Sequence, residues 1–248
     1  MRYCAALLLA CSLHAEVSYE RLLNAAKEPN NWLTYWGDYT AVRHRTLKQI
    51  NTTNVGKMQL EWMFQTGVAG AFQTVPLVVD GVMYVTAGEG NSFAVDAQSG
   101  RQLWSYKYPM PKTKLCCGTA NRGMAILGDR VFVVTPDAHL IALDARTGRL
   151  VWNTEFGKAE DQYGATLAPL AVKDKILVGV SGGEWGIRGY VDAYYAKTGE
   201  RAWRFYTTAS SPSPPSPNHS APICPASRPA CSRPRPTAGA SLTFSATG

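Results

Sequence analysis

The sequence lacks several features that would point to particular classes of protein. It has no Cys-x-x-Cys pair, which argues against a structural zinc site and against covalent haem attachment to this chain. No run of apolar residues approaches the roughly 18 that a membrane-spanning helix needs. The last 40 residues, from Ala209 to Gly248, contain no Asp or Glu. We therefore predict no transmembrane segment, and the charge has to be considered segment by segment.

The net charge of +7 gives no case for nucleic-acid binding. Three arginines lie in the acid-free C-terminal stretch and Arg2 lies at the N-terminus; without these four the net charge is +3. The length of 248 residues permits one large all-β domain or two small ones, and 46% hydrophobic residues are enough for a sizeable core.

Residues 1–15 are predicted to be a secretory signal peptide, which would place the protein in the periplasm. One positive charge is followed by a short apolar run and by a small residue, Ala15, at the expected cleavage point. A cytoplasmic start is the alternative. Export would leave four cysteines in a compartment where disulfides form: Cys116, Cys117, Cys224 and Cys231.

Residues 16–59 are predicted to be an N-terminal segment with one short helix, which ends before Pro29 because proline breaks helices. The expected apolar face of this helix consists of Val17, Leu22, Leu23 and Ala26.

A repeat occupies residues 60–208. Hairpin signals between apolar runs, with Asp-Gly or Gly-Asp in the first two copies, recur at 78–85, 126–133 and 172–179. Each is followed by a unit in which Ser-Gly or Thr-Gly precedes a tryptophan, at 93–104, 141–152 and 191–203.

The tryptophans of this repeat, counted from Trp62, stand 42, 48 and 51 residues apart. Four short strands in each unit of this length, with a periodic Gly/Trp motif, indicate an all-β fold made of β-propeller blades. A β-sandwich with coincidental tryptophan placement is the alternative.

Residues 209–248 form a Pro/Ser-rich tail that is predicted to be disordered. It holds nine of the fifteen prolines and few large apolar residues, so it cannot bury enough surface to fold. Because the repeat stops abruptly, we hypothesise that the tail is an out-of-frame translation. A natural Pro/Ser linker is the alternative.

The stretch Lys114–Gly123 reads KLCCGTANRG and contains two adjacent cysteines. If Cys116 and Cys117 were joined, the trans peptide would hold their Cα atoms about 3.8 Å apart, below the roughly 4.4–6.8 Å of ordinary disulfides. Strained backbone of this kind is usually kept only where a functional site requires it. Two reduced, unrelated thiols are the alternative, and these ten residues do not decide between them.

Six stretches carry a family resemblance. They are NWLTYWGDY (31–39), VPLVVDGVMYVT (75–86), CCGTANRG (116–123), DARTGRLVW (144–152), TLAPLAVKDKILVGVSGGEWGIRG (166–189) and KTGERAWRF (197–205). Together they resemble the quinoprotein alcohol dehydrogenases, periplasmic enzymes that use pyrroloquinoline quinone (PQQ) and a bound Ca²⁺. The resemblance covers about residues 28–207 and implies about three to four N-terminal blades of an eight-bladed β-propeller.

The resemblance implies a wall of the quinone pocket. Cys116 and Cys117 would form a vicinal disulfide against one face of the quinone, and Arg122 would pair with one of its carboxylates. Gln73 stands where the family commonly has a glutamate, so its contact with the cofactor would be neutral and weaker. Taken alone, Arg122 is more typical of a surface cation.

The resemblance also implies hydrogen-bond donors and a metal ligand. Thr166 and Ser181 would donate hydroxyl hydrogen bonds to the cofactor carboxylates, and Gly182 and Gly183 would let the backbone pass close under the ring. Glu184 would bind Ca²⁺, which prefers hard oxygen ligands. Taken alone, the hydroxyls are more typical of strand ends and the glutamate of a solvated loop.

Several family residues have no match in this sequence. The catalytic aspartate, an asparagine Ca²⁺ ligand, the tryptophan on the other face of the quinone and another arginine all come later in the family's chain. We therefore expect no catalytic residue among these 248 residues. We also expect the polypeptide alone to be inactive and poorly soluble, because an open propeller exposes a sheet edge and apolar faces.

The function implied by the resemblance is oxidation of a primary alcohol to its aldehyde, with electrons passed to a cytochrome c. The alternative is a non-enzymatic PQQ-like propeller that serves as a scaffold or assembly module of the cell envelope. A scaffold has no reason to carry the paired cysteines with Arg122 and Glu184. A decayed gene without function is a third interpretation, which the tail supports.

Overall fold

The computed structural model describes residues 16–70, 72–112 and 118–209. The predicted signal peptide, the cysteine pair Cys116–Cys117 and all but the first residue of the predicted tail lie outside the described residues. None of the helices in the described part of the chain has the length and apolarity of a membrane span.

The described residues form three four-stranded antiparallel sheets, each built from four consecutive strands. Sheet 1 contains β1 (Leu77–Val79), β2 (Val82–Thr86), β3 (Ser92–Asp96) and β4 (Gln102–Tyr106). Sheet 2 contains β5 (Ala125–Leu127), β6 (Arg130–Val134), β7 (His139–Asp144) and β8 (Leu150–Glu155). Sheet 3 contains β9 (Leu170–Val172), β10 (Lys175–Gly179), β11 (Tyr190–Tyr195) and β12 (Arg201–Tyr206).

Helical structure is confined to short segments. One α-helix, α1, spans Tyr19–Leu23 of the described chain. The 3₁₀ turns are Ala25–Lys27, Val55–Lys57, Gly88–Gly90, Ala159–Asp161 and Gly183–Trp185.

The all-β prediction is confirmed, and each predicted repeat unit is one sheet. The hairpin signals lie between the first two strands of each sheet, and the Ser-Gly or Thr-Gly pairs lie between the last two. In sheet 1 the turn is stabilised by Asp96, whose Oδ1 accepts hydrogen bonds from the Ser99 amide and hydroxyl, both at 2.8 Å. The bond from the hydroxyl holds the pKa of Asp96 below its ordinary value.

The tryptophans of the repeat connect neighbouring sheets. Trp104 of β4 lies over the β7–β8 turn, where a Cβ on Gly148 would come within 2.6 Å of the indole. Its Nε1 donates a hydrogen bond to the carbonyl of Ala145 at 2.9 Å. Because glycine has no Cβ, the ring can pack directly on the backbone of the next sheet. The same contact recurs between Trp62 and Gly100 and between Trp152 and Gly199.

The residue opposite each tryptophan is also repeated. The registers of the last two strands pair Ala94 with Trp104, Ala142 with Trp152 and Ala193 with Trp203, and each sheet has an irregularity directly after the alanine. A small side chain opposite each indole leaves room for the ring to tilt towards the next sheet.

The core is centred on sheet 2, whose central strands are buried on both faces. Val131–Val134 of β6 and Leu140–Leu143 of β7 are buried without interruption. The outer strand β12 differs, since Trp203 is 42% exposed and Phe205 is 66% exposed. The segments of β6 and β7 that are buried on both faces are apolar throughout, whereas exposed and half-buried residues alternate over most of β12.

The N-terminal segment contacts all three sheets. Val17 exchanges main-chain hydrogen bonds with Gly128 at 3.0 and 2.8 Å, and Trp32 does so with Val78 at 2.7 and 3.0 Å. The Tyr39 hydroxyl donates to the carbonyl of Ala171 in β9. The segment therefore holds the first strands of the sheets together.

The short helix packs differently from the predicted face. The structure buries Val17, Leu22 and Ala25, whereas Leu23 is 54% exposed and Ala26 is exposed. The reason is that α1 ends at Leu23 and the 3₁₀ turn that follows places residue 25, rather than 26, towards the core.

An ion-pair network fixes this helix to sheet 1. Arg21 donates to both oxygens of Asp80, at 2.9 and 2.6 Å, and to both oxygens of Glu28, at 2.8 to 3.0 Å. The bond from Arg21 holds the pKa of Glu28 below its ordinary value, against the opposing effect of burial.

We predict that Gly148→Ala destabilises the chain more than Gly128→Ala does. Both glycines have positive φ, +71° and +64°, so alanine costs about 1 kcal/mol at either position. Only at Gly148 would the new methyl group strike Trp104, which should cost about 1–3 kcal/mol more. Urea unfolding followed by tryptophan fluorescence measures the difference, and equal losses would show that the indole contact contributes nothing.

Candidate functional site

Main-chain hydrogen bonds join the segments that lead into the three sheets. The Val75 N–H donates to the Arg122 carbonyl at 3.0 Å, and the Arg122 N–H donates to the Thr166 carbonyl at 3.1 Å. Further along, Gly164 and Ser181 exchange bonds of 3.0 and 2.7 Å. These bonds join the segments that carry three predicted cofactor residues, Arg122, Thr166 and Ser181. We call the edge of the sheets formed by these three residues and Val75 the rim.

The side chain of Arg122, in the segment that leads into sheet 2, reaches Thr166 in the segment that leads into sheet 3. Its Nη1 donates to the carbonyl of Thr166 at 3.1 Å and also to the Thr166 hydroxyl. Both residues are half-buried. A guanidinium has five N–H donors in a planar fork, and Nη1 uses only some of them here. The pair can therefore present positive charge and donors to a carboxylate at the rim.

The two predicted glycines have different environments. Gly182 is buried with φ +123°, and a Cβ on it would lie 2.3 Å from the carbonyl oxygen of Gln162. Gly183 begins the 3₁₀ turn, is exposed, and has no atom within 4 Å of a built Cβ. Gly182 is thus required by the fold, whereas Gly183 borders open space that could accept a flat ring.

Glu184 and Gln73, the other two described candidates, are both exposed. Glu184 lies on the Gly183–Trp185 turn next to the two glycines. Gln73 precedes Val75 by two residues and so approaches the rim from sheet 1. No group of three or more His, Cys, Asp or Glu side chains that could hold a metal ion occurs within residues 16–70, 72–112 and 118–209.

The segment that follows the cysteine pair is held by sheet 1. The Glu89 N–H, in the β2–β3 connection, donates to the carbonyl of Thr119 at 2.8 Å. Cys116 and Cys117 lie outside the described residues, so their pairing stays a prediction.

The site also contains a residue to which the sequence reasoning assigned no role. Asn121 is 1% exposed; its side chain accepts a hydrogen bond from the N–H of Gly123, directly after Arg122, and donates one to the carbonyl of Val134 in β6. Its position directly before Arg122 in the CCGTANRG stretch was the available signal.

Three consecutive four-stranded antiparallel sheets, joined by tryptophan–glycine contacts, define part of a β-propeller. Comparison with known families identifies which one. The PQQ family described as glucose/ethanol/alcohol dehydrogenase, β-propeller domain, matches residues 32–223. The chain therefore belongs to this family, and the predicted resemblance is confirmed.

Individual relatives agree with this assignment. The chain is 38% identical over 211 residues to the quinohemoprotein alcohol dehydrogenase ADH-IIG of Pseudomonas putida, covering 84% of this chain and 29% of that protein. It is 38% identical over 209 residues to a lanthanide-dependent methanol dehydrogenase of Methylacidiphilum fumariolicum, covering 82% of this chain and 34% of the relative.

A solved structure agrees in three dimensions. The quinohemoprotein alcohol dehydrogenase ADHIIG from Pseudomonas putida superposes with a TM-score of 0.74 and 37% identity, over 82% of this chain and 31% of that one. The chain spans about a third of the length of the relatives it matches.

The residues at the rim fit a tricarboxylated planar cofactor. A carboxylate needs cationic and hydroxyl donors, which Arg122 and Thr166 supply side by side. A planar ring needs an unobstructed approach, and no atom lies within 4 Å of a Cβ built on the exposed Gly183.

We predict that Gly182→Ala destabilises the chain strongly and that Gly183→Ala hardly changes its stability. The first forces a methyl group against a main-chain carbonyl in a positive-φ conformation, which should cost about 2 kcal/mol or more. The second adds a methyl group in open space and should change the free energy of unfolding by at most about 0.5 kcal/mol. Urea unfolding of both variants tests this, and a stable Gly182→Ala variant would contradict the geometry at Gln162.

Proposed function

We propose that this chain supplies one wall of the PQQ site of a dehydrogenase that oxidises a primary alcohol to its aldehyde. The observation that carries the proposal is the convergence of the Arg122 guanidinium and the Thr166 hydroxyl on the rim. Membership of the PQQ dehydrogenase family and the names of the relatives support the reaction class.

PQQ, when bound, would supply the redox chemistry by accepting the two electrons that the alcohol loses. The described residues of this chain would bind and orient it. Arg122 would pair with a carboxylate, and the hydroxyls of Thr166 and Ser181 would donate hydrogen bonds to the carboxylates. Because the rim joins all three sheets by main-chain bonds, these donors are held in place before the cofactor arrives, which lowers the entropic cost of binding.

The remaining predicted residues complete the wall. Cys116 and Cys117, which lie outside the described residues, would provide a flat surface for the ring if they form the predicted vicinal disulfide, and Gly183 would leave space for the ring to approach. Gln73 adds a neutral hydrogen bond from the side of sheet 1. A neutral amide in place of a carboxylate makes this contact weaker than a charge-assisted one.

Glu184 is proposed as a Ca²⁺ ligand, because its carboxylate oxygen is the hard ligand that Ca²⁺ prefers. A lanthanide ion is the second candidate, since one relative is named a lanthanide-dependent methanol dehydrogenase. Electron transfer to a cytochrome c and location in the periplasm are further parts of the proposal.

We predict that the chain binds PQQ and that Arg122→Gln weakens the binding about tenfold or more, because a charge-assisted hydrogen bond contributes roughly 1.5–3 kcal/mol. Arg130→Gln is the matched control. Arg130 also reaches from sheet 2 to main-chain carbonyls of sheet 3, those of Ala196 at 3.2 Å and Lys197 at 2.7 Å, but from the β5–β6 hairpin rather than the rim. Titration with PQQ, followed by quenching of tryptophan fluorescence, measures both affinities.

The control variant should bind PQQ within about twofold of the unmodified chain, as expected for a residue remote from the ligand. Absence of PQQ binding in the unmodified chain, or equal weakening in the two variants, would contradict the proposed site.

We predict that this polypeptide alone does not oxidise ethanol or methanol even with PQQ and Ca²⁺ added. The family's catalytic aspartate has no match in the sequence, and without a positioned base the proton transfer loses about 10²–10⁴-fold in rate. Reduction of an artificial dye acceptor by the purified chain measures this. Dye reduction that requires both alcohol and added PQQ would show that the chain contains its own catalytic base.

A further inference from the structure

We propose that Asn121 is a positioning residue that fixes Arg122 against Thr166 by tying the Arg122 segment to the end of β6. The inference rests on the proposed PQQ site for its functional meaning. Its structural part, the dependence of the Arg122–Thr166 contact on Asn121, can be tested without the cofactor.

The Asn121 side chain makes one bond as a donor and one as an acceptor. Its Nδ2 donates to the carbonyl of Val134 at 2.7 Å, and its Oδ1 accepts from the N–H of Gly123 at 2.9 Å. The residue is 1% exposed, so neither partner could be replaced by bulk water. The side chain thus bonds to Gly123 at one end and to Val134 of β6 at the other, so it connects the backbone around Arg122 to sheet 2.

The backbone of Arg122 itself is also held by hydrogen bonds. Its carbonyl accepts from Val75 and its N–H donates to Thr166, at 3.0 and 3.1 Å. The next residue, Gly123, has φ +133°, and a Cβ there would lie 2.8 Å from the Val75 carbonyl oxygen. The direction in which the arginine side chain leaves the backbone is therefore set by groups on all sides.

The same end of β6 also holds the partner of Arg122. The Ala165 N–H, directly before Thr166, donates to the carbonyl of Pro136 at 3.3 Å. Val134 ends β6 and Pro136 follows two residues later, so one short stretch at the end of this strand supports Arg122 through Asn121 and Thr166 through Ala165. A shift of Asn121 would move the guanidinium relative to the hydroxyl.

Asparagine suits this position because its amide carries a donor and an acceptor on one short planar group. An ionised aspartate cannot donate to the Val134 carbonyl, and serine has one oxygen on a shorter stem. A glutamine keeps both groups but is longer by one methylene. These differences supply the variants for the test.

The cofactor-free test is a double-mutant cycle between Asn121→Ser and Thr166→Val in the full chain. Thr166→Val removes the hydroxyl that Arg122 contacts and should lower the urea midpoint. If Asn121 positions Arg122, this lowering should shrink to about half or less when Asn121→Ser is already present, because coupled residues are not additive. Asn121→Gln serves as a second variant should the serine variant not fold.

Asn91→Ser is the matched control. Asn91 is 3% exposed, donates to the Gly88 carbonyl at 2.8 Å and accepts from the Tyr108 N–H at 3.3 Å. It has the same buried donor-and-acceptor pattern as Asn121 but belongs to the β2–β3 turn of sheet 1. The effects of Asn91→Ser and Thr166→Val should add.

The second measurement is PQQ affinity. Asn121→Ser should raise the Kd for PQQ about tenfold, as loss of a group that orients a binding residue typically does. Arg130→Gln, the control variant for Arg122, should leave it within about twofold.

The outcomes separate the two proposals. Additivity of Asn121→Ser with Thr166→Val, or an unchanged Kd in a folded Asn121 variant, overturns the positioning role. A non-additive cycle in a chain that does not bind PQQ supports the positioning of Arg122 and overturns the proposed cofactor site instead.

Discussion

The contact on which the structure depends is the packing of a tryptophan on a glycine turn of the neighbouring sheet. Each sheet is a meander of short strands and could not bury both faces by itself. Trp104 and Trp152 bring the next sheet close enough for its backbone to accept a hydrogen bond from the indole. The outcome is visible in sheet 2, which has neighbours on both sides and is buried throughout its central strands.

The candidate site also depends on the packing of neighbouring sheets, but at the rim rather than at the tryptophans. Arg122 lies in the segment that leads into sheet 2 and Thr166 in the segment that leads into sheet 3, so their contact exists only while these sheets are packed together. The N-terminal segment contributes through Tyr39, which bonds to Ala171 in β9. Fold stability and the geometry of the candidate site are therefore linked, because whatever separates the sheets also separates Arg122 from Thr166.

Much of this arrangement could be predicted from local patterns. The turn signals and the tryptophan spacing identify every sheet, because hairpin chemistry acts between residues close in sequence. The family motifs identify Arg122, Thr166, Ser181 and the glycines as candidates. The patterns did not identify Asn121, whose partner Val134 lies 13 residues away on another strand. They also assigned Leu23 rather than Ala25 to the buried face, because helical periodicity continues only while the helix does.

By itself, the sequence determined the repeat, the turns and the residue types available to a carboxylated cofactor, since these follow from spacing and side-chain chemistry. Only the tertiary structure decided which of those residues meet. It placed the Arg122 guanidinium on Thr166, made Gly182 indispensable through the Gln162 carbonyl, and left open space beside Gly183. The reason is that these relations hold between different sheets, whose distances are set by how the indoles and the N-terminal segment pack and not by any local pattern.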